Sequence, residues 1–224
     1  MKKNKIKKIL MITGTMLIMS ALFLCLYNML ESRQAYENSQ EVLTELKDLI
    51  PEPRLRENKT DIIPSEKDDE PFINPADDLF APYKEADEPQ DPPSIELDDE
   101  YYCGYVFFPS LGLELPVTDG WSYAALKNAP CRYSGSAAGR DMIIAAHNYN
   151  SHFGRIGELD PGDEIFFTDT SGLTYRYEVD HTEYVDGYDI DAMFSGQEDQ
   201  WDITLFTCTL NGQSRVTVRA LLDE

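Results

Sequence analysis

The hydrophobic and polar positions change pattern three times along the chain. Ile9 to Leu30 is a run of 22 residues without a charge. As a helix rising 1.5 Å per residue it covers about 33 Å, enough for the hydrocarbon core of a bilayer. Residues 31–50 keep a sparse helical stripe, Val42, Leu43, Leu46, Leu49 and Ile50, which can extend that helix outward until Pro51 and Pro53 end it. Residues 51–100 lose all periodicity. They hold nine of the thirteen prolines, with acids crowded between them. Such a composition cannot bury enough apolar surface to offset its ordering entropy, which predicts an extended, disordered acidic stalk.

From Tyr101 the texture becomes that of short strands. "YYCGYVFFPSLGLELPVT" predicts two strands broken at Pro109, Ser110 and Gly112, and "SYAALKNA" a short helix. "RDMIIAAHN" predicts a buried strand ending at His147. "DEIFFTDTSGLTYRYEVDHTEYV" reads as two strands around Ser171–Gly172, the second alternating at Tyr175, Tyr177 and Val179. "DITLFTCTLNGQSRVTVRALL" reads as a hairpin whose Asn211–Gly212 signals a type I′ turn. About eight short strands with little helix indicate an all-β barrel or sandwich. The chain thus divides into 1–30, a lysine cluster and transmembrane signal anchor; 31–100, a juxtamembrane helix and Pro-rich stalk; and 101–224, a β domain large enough to build a core without metal.

Charge orients this arrangement. The formal net charge is −22, but residues 1–30 hold five lysines and no acid, so the remainder holds 14 basic and 41 acidic residues. That surface repels phosphate backbones and excludes nucleic acid as a partner. The lysines precede the apolar run, which places the N-terminus in the cytoplasm and everything after Leu30 outside. The rival, a cleaved signal peptide, has a shorter apolar region and a small-x-small site, and no clear site of that kind follows Leu30. Export permits disulfides. Cys25 lies in the span as an apolar filler, and Cys103, Cys131 and Cys208 remain outside. Cys103 and Cys131 can pair, leaving Cys208 free, although spacing does not settle the geometry.

Three residue types are candidates for chemistry. Cys208 ends the strand "ITLFTC", and Arg215 opens the next strand across the hairpin, so the two can share a face. His147 ends another strand, and no spacing argument brings it near. If the three meet, the thiolate is a nucleophile, the histidine moves the proton between leaving and entering groups, and the arginine stabilises an oxyanion. Each also has a bland reading: a packed cysteine, a solvated loop histidine, a surface arginine. His147, His152 and Cys208 lack the paired spacing of a zinc site, and Asp186, Asp189 and Asp191 read as hydrated acids, so neither metal nor cofactor is expected.

The residues resemble the sortase family. "TLFTC" resembles its Thr-Leu-x-Thr-Cys signature, followed by an arginine on the next strand. "IIAAHNYNSHFGRIGELDPGDEIFFTD" resembles its histidine segment and "GYVFFPSLGLELPV" its opening strands, so the likeness runs from about Gly104 to Leu222. The resemblance implies an eight-stranded β-barrel cysteine transpeptidase, anchored in the cell membrane through residues 9–30 with its catalytic domain outside. Such an enzyme cleaves a Leu-Pro-x-Thr-Gly-like sorting signal in exported proteins through a thioacyl intermediate. It then joins them to an amine of cell-wall precursor or of a pilin. It implies His147 as acid/base, Cys208 as nucleophile, Arg215 as transition-state stabiliser, and Thr207 and Asn148 as substrate-binding residues. "DLF" at Asp78–Phe80 resembles the lid motif of pilin-assembling members, whereas the short Cys208–Arg215 gap departs from members with longer loops. "LPVTDG" at Leu115–Gly120 looks like a sorting signal but has Asp119 in place of glycine and reads as a strand end and turn. A hydrolase on the same site and a non-catalytic binding module are the alternative functions.

Overall fold

A computed structural model describes residues 2–56, 91–194 and 201–223. Helix α1 runs unbroken from Lys2 to Leu49. Short strands β1 (Arg54–Leu55) and β2 (Ile95–Leu97) flank a body made of β3 (Glu100–Phe108), β4 (Leu113–Thr118), α2 (Ala125–Asn128), β5 (Cys131–Ser134), β6 (Met142–Ala146), β7 (Glu164–Asp169), β8 (Leu173–Asp186), β9 (Ile203–Cys208) and β10 (Ser214–Leu222). Pairing runs β8-β10-β9-β6-β5-β4-β3, and β7 bonds both β3 and β8, so eight strands close into a barrel. The β4–β5 and β6–β9 pairs are parallel and the other barrel pairs antiparallel. The all-β expectation holds. The short strand β5 and the flanking β1 and β2 were not legible in the sequence.

Alternation decides which side chains fill the barrel. Tyr175, Tyr177 and Val179 of β8 point inward with Ile203 and Leu205 of β9, Ile144 and Ala146 of β6, and Val218 of β10. At β3–β7, Gly104 (φ 150°) lets the backbones approach so closely that a Cβ there would lie 2.1 Å from the Thr168 carbonyl oxygen. The β9–β10 turn is not type I′. The Gly212 N–H donates to the Thr209 carbonyl at 2.8 Å, and Gly212 alone takes a left-handed conformation (φ 71°), whereas Asn211 does not. This is a β-turn followed by a left-handed glycine, and it lifts Leu210 to the tip, 98% exposed.

Residues 6–30 of α1 touch almost nothing, whereas the second half of the helix lies along the barrel. Ala35, Ser39, Leu43, Leu46 and Ile50 are buried, at spacings of three and four, and Leu43, Leu46 and Ile50 pack with Tyr102, Tyr105 and Ala129. Gln40 Nε2 donates to the Glu114 carbonyl at 3.0 Å, and Lys47 pairs with the Glu114 carboxylate at 2.5 Å. The helix stripe therefore is a docking face. β1 pairs with β8 and β2 with β3, so residues 54–55 and 95–97, expected from sequence to be part of an extended stalk, pair with the barrel instead. Residues 57–90, with the Asp78–Phe80 motif, lie outside the described residues.

Cys103 and Cys131 are free, buried thiols. The Cys103 Sγ points to the Val117 carbonyl at 3.5 Å and the Cys131 Sγ to the Ala129 carbonyl at 3.6 Å, so the pairing considered from sequence is absent.

Truncating Leu46, which is fully buried under α1, to alanine is expected to cost about 2–5 kcal/mol. Leu49→Ala, on the exposed side, should change stability by no more than about 0.5 kcal/mol. Denaturant titration of the full chain in detergent checks both.

Candidate active site

Three strand registers assemble the site. Parallel pairing of β6 with β9 sets Ala146 beside Thr207, so the next residues, His147 and Cys208, emerge side by side at one end of the barrel. Antiparallel pairing of β9 with β10 sets Arg215 opposite Cys208. In both kinds of pair, residues in register project to the same face. Strand order β6-β9-β10 thus lays His147, Cys208 and Arg215 in a row across the sheet.

The chemistry of each member follows from its surroundings. Cys208 is exposed, unlike the two barrel thiols. Burial pushes the Cys103 thiol up to about 12 and raises that of Cys131, so both remain inert thiols. His147 is half-buried, and burial holds it below the ordinary histidine value; Lys127 lowers it further while Glu31 of α1 raises it. The Arg215 guanidinium lies over its own hairpin, donating to the Gly212 and Ser214 carbonyls at 3.2 Å and to the Gly187 carbonyl at 3.5 Å. Of its five N–H donors, two remain, and no carboxylate pairs with it among the described residues.

Thr207 lines the open depression beside Cys208, and its hydroxyl is committed to the backbone. Its hydroxyl is buried and donates to the Ala146 carbonyl at 2.8 Å, stapling β6 to β9 one residue before His147 and Cys208. Asn148 does border the site. Together with Asn150, Tyr184, Cys208, Leu210 and Val216 it lines an open depression of 670 Å³. A larger cavity of 970 Å³, lined by Arg140, Asp202 and Asp223 among others, opens at the opposite end of the barrel and contains no nucleophile. No cluster of three or more His, Cys, Asp or Glu is arranged for a metal ion among the described residues.

The face of β9 that presents Cys208 continues through Phe206 and Thr204. On one side Phe206 meets Tyr133 edge-on at 5.9 Å, and Tyr133 meets Trp121 at 6.1 Å. On the other side stands Arg219, fully buried. It donates to Glu183 Oε1 at 2.9 Å, the Met193 carbonyl at 3.1 Å, Thr204 Oγ1 at 2.7 Å and the Ala192 carbonyl, and it lies 4.4 Å from the Trp201 ring. One side chain thus ties down the chain on both sides of residues 195–200, and the sequence reading overlooked it. The signal was an arginine between Val218 and Ala220, inside the buried stretch of the strand.

His152, considered from sequence only as a metal ligand, is fully buried behind the site. Its Nε2 lies 3.3 Å from Ser39 Oγ of α1, and that hydroxyl already donates to the Asn128 carbonyl. A serine has one proton to give, so Nε2 carries the hydrogen and donates, leaving Nδ1 as a bare acceptor without a partner among the described residues. Tyr149 stands between the histidines, its ring 5.1 Å from His147 and 5.7 Å from His152. Burial, aided by His147, pulls His152 down to about 4.

A family model described as a sortase domain matches residues 106–223. No curated protein sequence matches the chain. Among solved structures, a Clostridium perfringens sortase D5 transpeptidase is 22% identical over 55% of this chain and 79% of its own, with a TM-score of 0.49. A Clostridium perfringens sortase C holding a C-terminal cell-wall sorting motif is 23% identical over 55% of this chain and 71% of its own, at 0.47. A pilus-related sortase C of Group B Streptococcus is 22% identical over 58% of this chain and 70% of its own, at 0.49.

The depressed His152 carries a pH signature. The unfolded chain takes a proton near pH 6.5, where the folded chain cannot until about 4. This stabilisation is complete above pH 6.5 and is lost as pH falls towards 4, on the order of 3 kcal/mol in all. His152→Phe should remove that component from a plot of unfolding free energy against pH.

Proposed function

The chain belongs to the sortase family, and we propose that it is a membrane-anchored cysteine transpeptidase acting through His147, Cys208 and Arg215. The observation that carries this reading is the row of three residues across β6, β9 and β10. α1 contains one stretch long and apolar enough to cross a membrane, which fits an anchor. The lysines before it favour an inside N-terminus and an outside barrel.

In the reaction, the Cys208 thiolate attacks the scissile carbonyl of a Leu-Pro-x-Thr-Gly-like sorting signal in an exported protein. A carbon–sulfur bond forms, and the oxyanion of the tetrahedral intermediate takes hydrogen bonds from the free N–H groups of Arg215. Collapse breaks the carbon–nitrogen bond, and protonated His147 gives its proton to the departing amine. An amine of cell-wall precursor then attacks the thioester, His147 takes a proton back, and Cys208 leaves as thiolate. Export and the acidic surface suit an extracellular substrate. Asn148, at the rim of the depression beside Cys208, is placed to contact the peptide.

The test is the full chain in detergent with sorting-type peptides and an amine acceptor, read by mass spectrometry. The expected result is an acyl adduct on Cys208 and a new amide. Cys208→Ala should give neither, and Arg215→Lys should lower turnover by about 10²–10³-fold. Acid as the sole product, even with excess amine, would replace this reading with a hydrolase. An unreactive Cys208 would reduce the barrel to a binding module.

A further inference from the structure

α1 meets the barrel at the end that carries the site. Its first hydrogen bond to the barrel is at Ser32, whose hydroxyl lies 3.2 Å from Ser151 Oγ, while Ser151 Oγ reaches the Ser32 carbonyl at 3.1 Å. Ser151 belongs to the loop that follows His147. From there the helix runs down the barrel and hands over to Pro51 and Glu52, packed on Gly172 beside the first residue of β8. That point is the far end: β8 runs from Leu173 to Asp186, and Asp186 pairs with Ser214 beside the catalytic hairpin. Continued the other way, the same unbroken helix leaves the barrel beyond the catalytic end as the apolar segment that stops at Leu30. Only two residues, about 3 Å of rise, separate Leu30 from that first hydrogen bond.

Among the described residues, the end so placed is tipped with exposed apolar and aromatic side chains. Leu210 at the β9–β10 turn is 98% exposed, Tyr188 after β8 is 94% exposed, and Ile190 and Tyr184 are exposed beside them. Tyrosine is enriched where a membrane meets water, since its ring is apolar and its hydroxyl stays wet. The nearby acids are partly committed to the backbone: Asp186 accepts from the Tyr188 N–H at 2.9 Å and Asp189 from the Ala192 N–H at 3.2 Å.

We propose that the Cys208 end of the barrel rests on the outer surface of the chain's own bilayer, with the 209–212 turn and the 187–190 loop in the headgroup layer. The surface is too acidic for charge to draw it there. The rigid helix does so by holding these tips permanently at the interface. The site then opens along the membrane plane. This rests on the proposed membrane anchor.

The experiment reconstitutes the full chain in phosphatidylcholine vesicles, with lipids brominated at shallow or deep acyl positions as quenchers. Tryptophan replaces Leu210 or Tyr188, and Leu55→Trp, exposed at the far end, is the control. The unsubstituted chain gives the background from Trp121 and Trp201. Quenching of Leu210→Trp and Tyr188→Trp by shallow bromines should exceed that of Leu55→Trp by at least about twofold, as expected for side chains at interfacial depth. A chain that floats with the vesicles but quenches equally at all three positions overturns the docking and leaves the anchor standing. A chain that fails to float overturns both.

Discussion

The parallel pairing of β6 with β9 is the constraint on which the site depends. Hairpins can join Cys208 to Arg215 because only a tight turn lies between them. Nothing local can bring His147 to Cys208, since the two strands run the same way and β6 ends at Ala146 while β9 begins only at Ile203. Two strong fixings hold that pair in register. β6 is buried along its whole length, so a one-residue slip would turn core residues outward. The Thr207 hydroxyl, spent on the Ala146 carbonyl, pins the last rung before the reactive side chains. The threonine before the cysteine therefore serves geometry as well as lining the depression, and the exposed cysteine can remain unencumbered.

α1 adds a second constraint from outside the barrel. It buries Leu43, Leu46 and Ile50, each worth about 1.5–3 kcal/mol relative to exposure. One of its polar contacts under the site is specific: Ser39 sets the tautomer of His152, whose ring faces Tyr149, which faces His147. A helix that only tethered the barrel would need no such contact. The chain from Ser39 to His147 couples the orientation of the proposed acid/base to the seating of the helix, and so to the membrane reading of residues 9–30.

Much of this was legible in the sequence, for reasons that differ by residue. Cys208 and Arg215 were placed as neighbours because hairpin pairing is local, even though the turn itself proved to be of another type. Gly212 supplies one left-handed residue where two were expected, and the register survives because the strands flanking it are apolar and alternating. His147 could be suggested only by resemblance, since parallel pairing leaves no trace in spacing. The docked half of α1 was seen as a weak stripe because its upper contacts are Ala35 and Ser39, which carry little hydrophobic signal. Cys103 and Cys131 illustrate the converse: export permits a disulfide, yet burial in an apolar strand explains each thiol without one.

Arg215 ties the electrostatics together. Residues 31–224 hold 41 acids against 14 bases, so a positive side chain on that surface has abundant chances of a carboxylate partner. Arg219, four residues along the same face, takes one in Glu183. Arg215 instead rests on three backbone carbonyls, which orient its guanidinium without neutralising it. Gly187 is part of that arrangement, since a Cβ there would come within 3.0 Å of Arg215 Nη1. Dipoles fixed by the fold hold the charge in place, and in the proposed reaction little reorganisation is then needed when negative charge develops beside Cys208. A carboxylate partner would have had to be displaced at each turnover, which makes the carbonyl cradle the arrangement suited to an oxyanion.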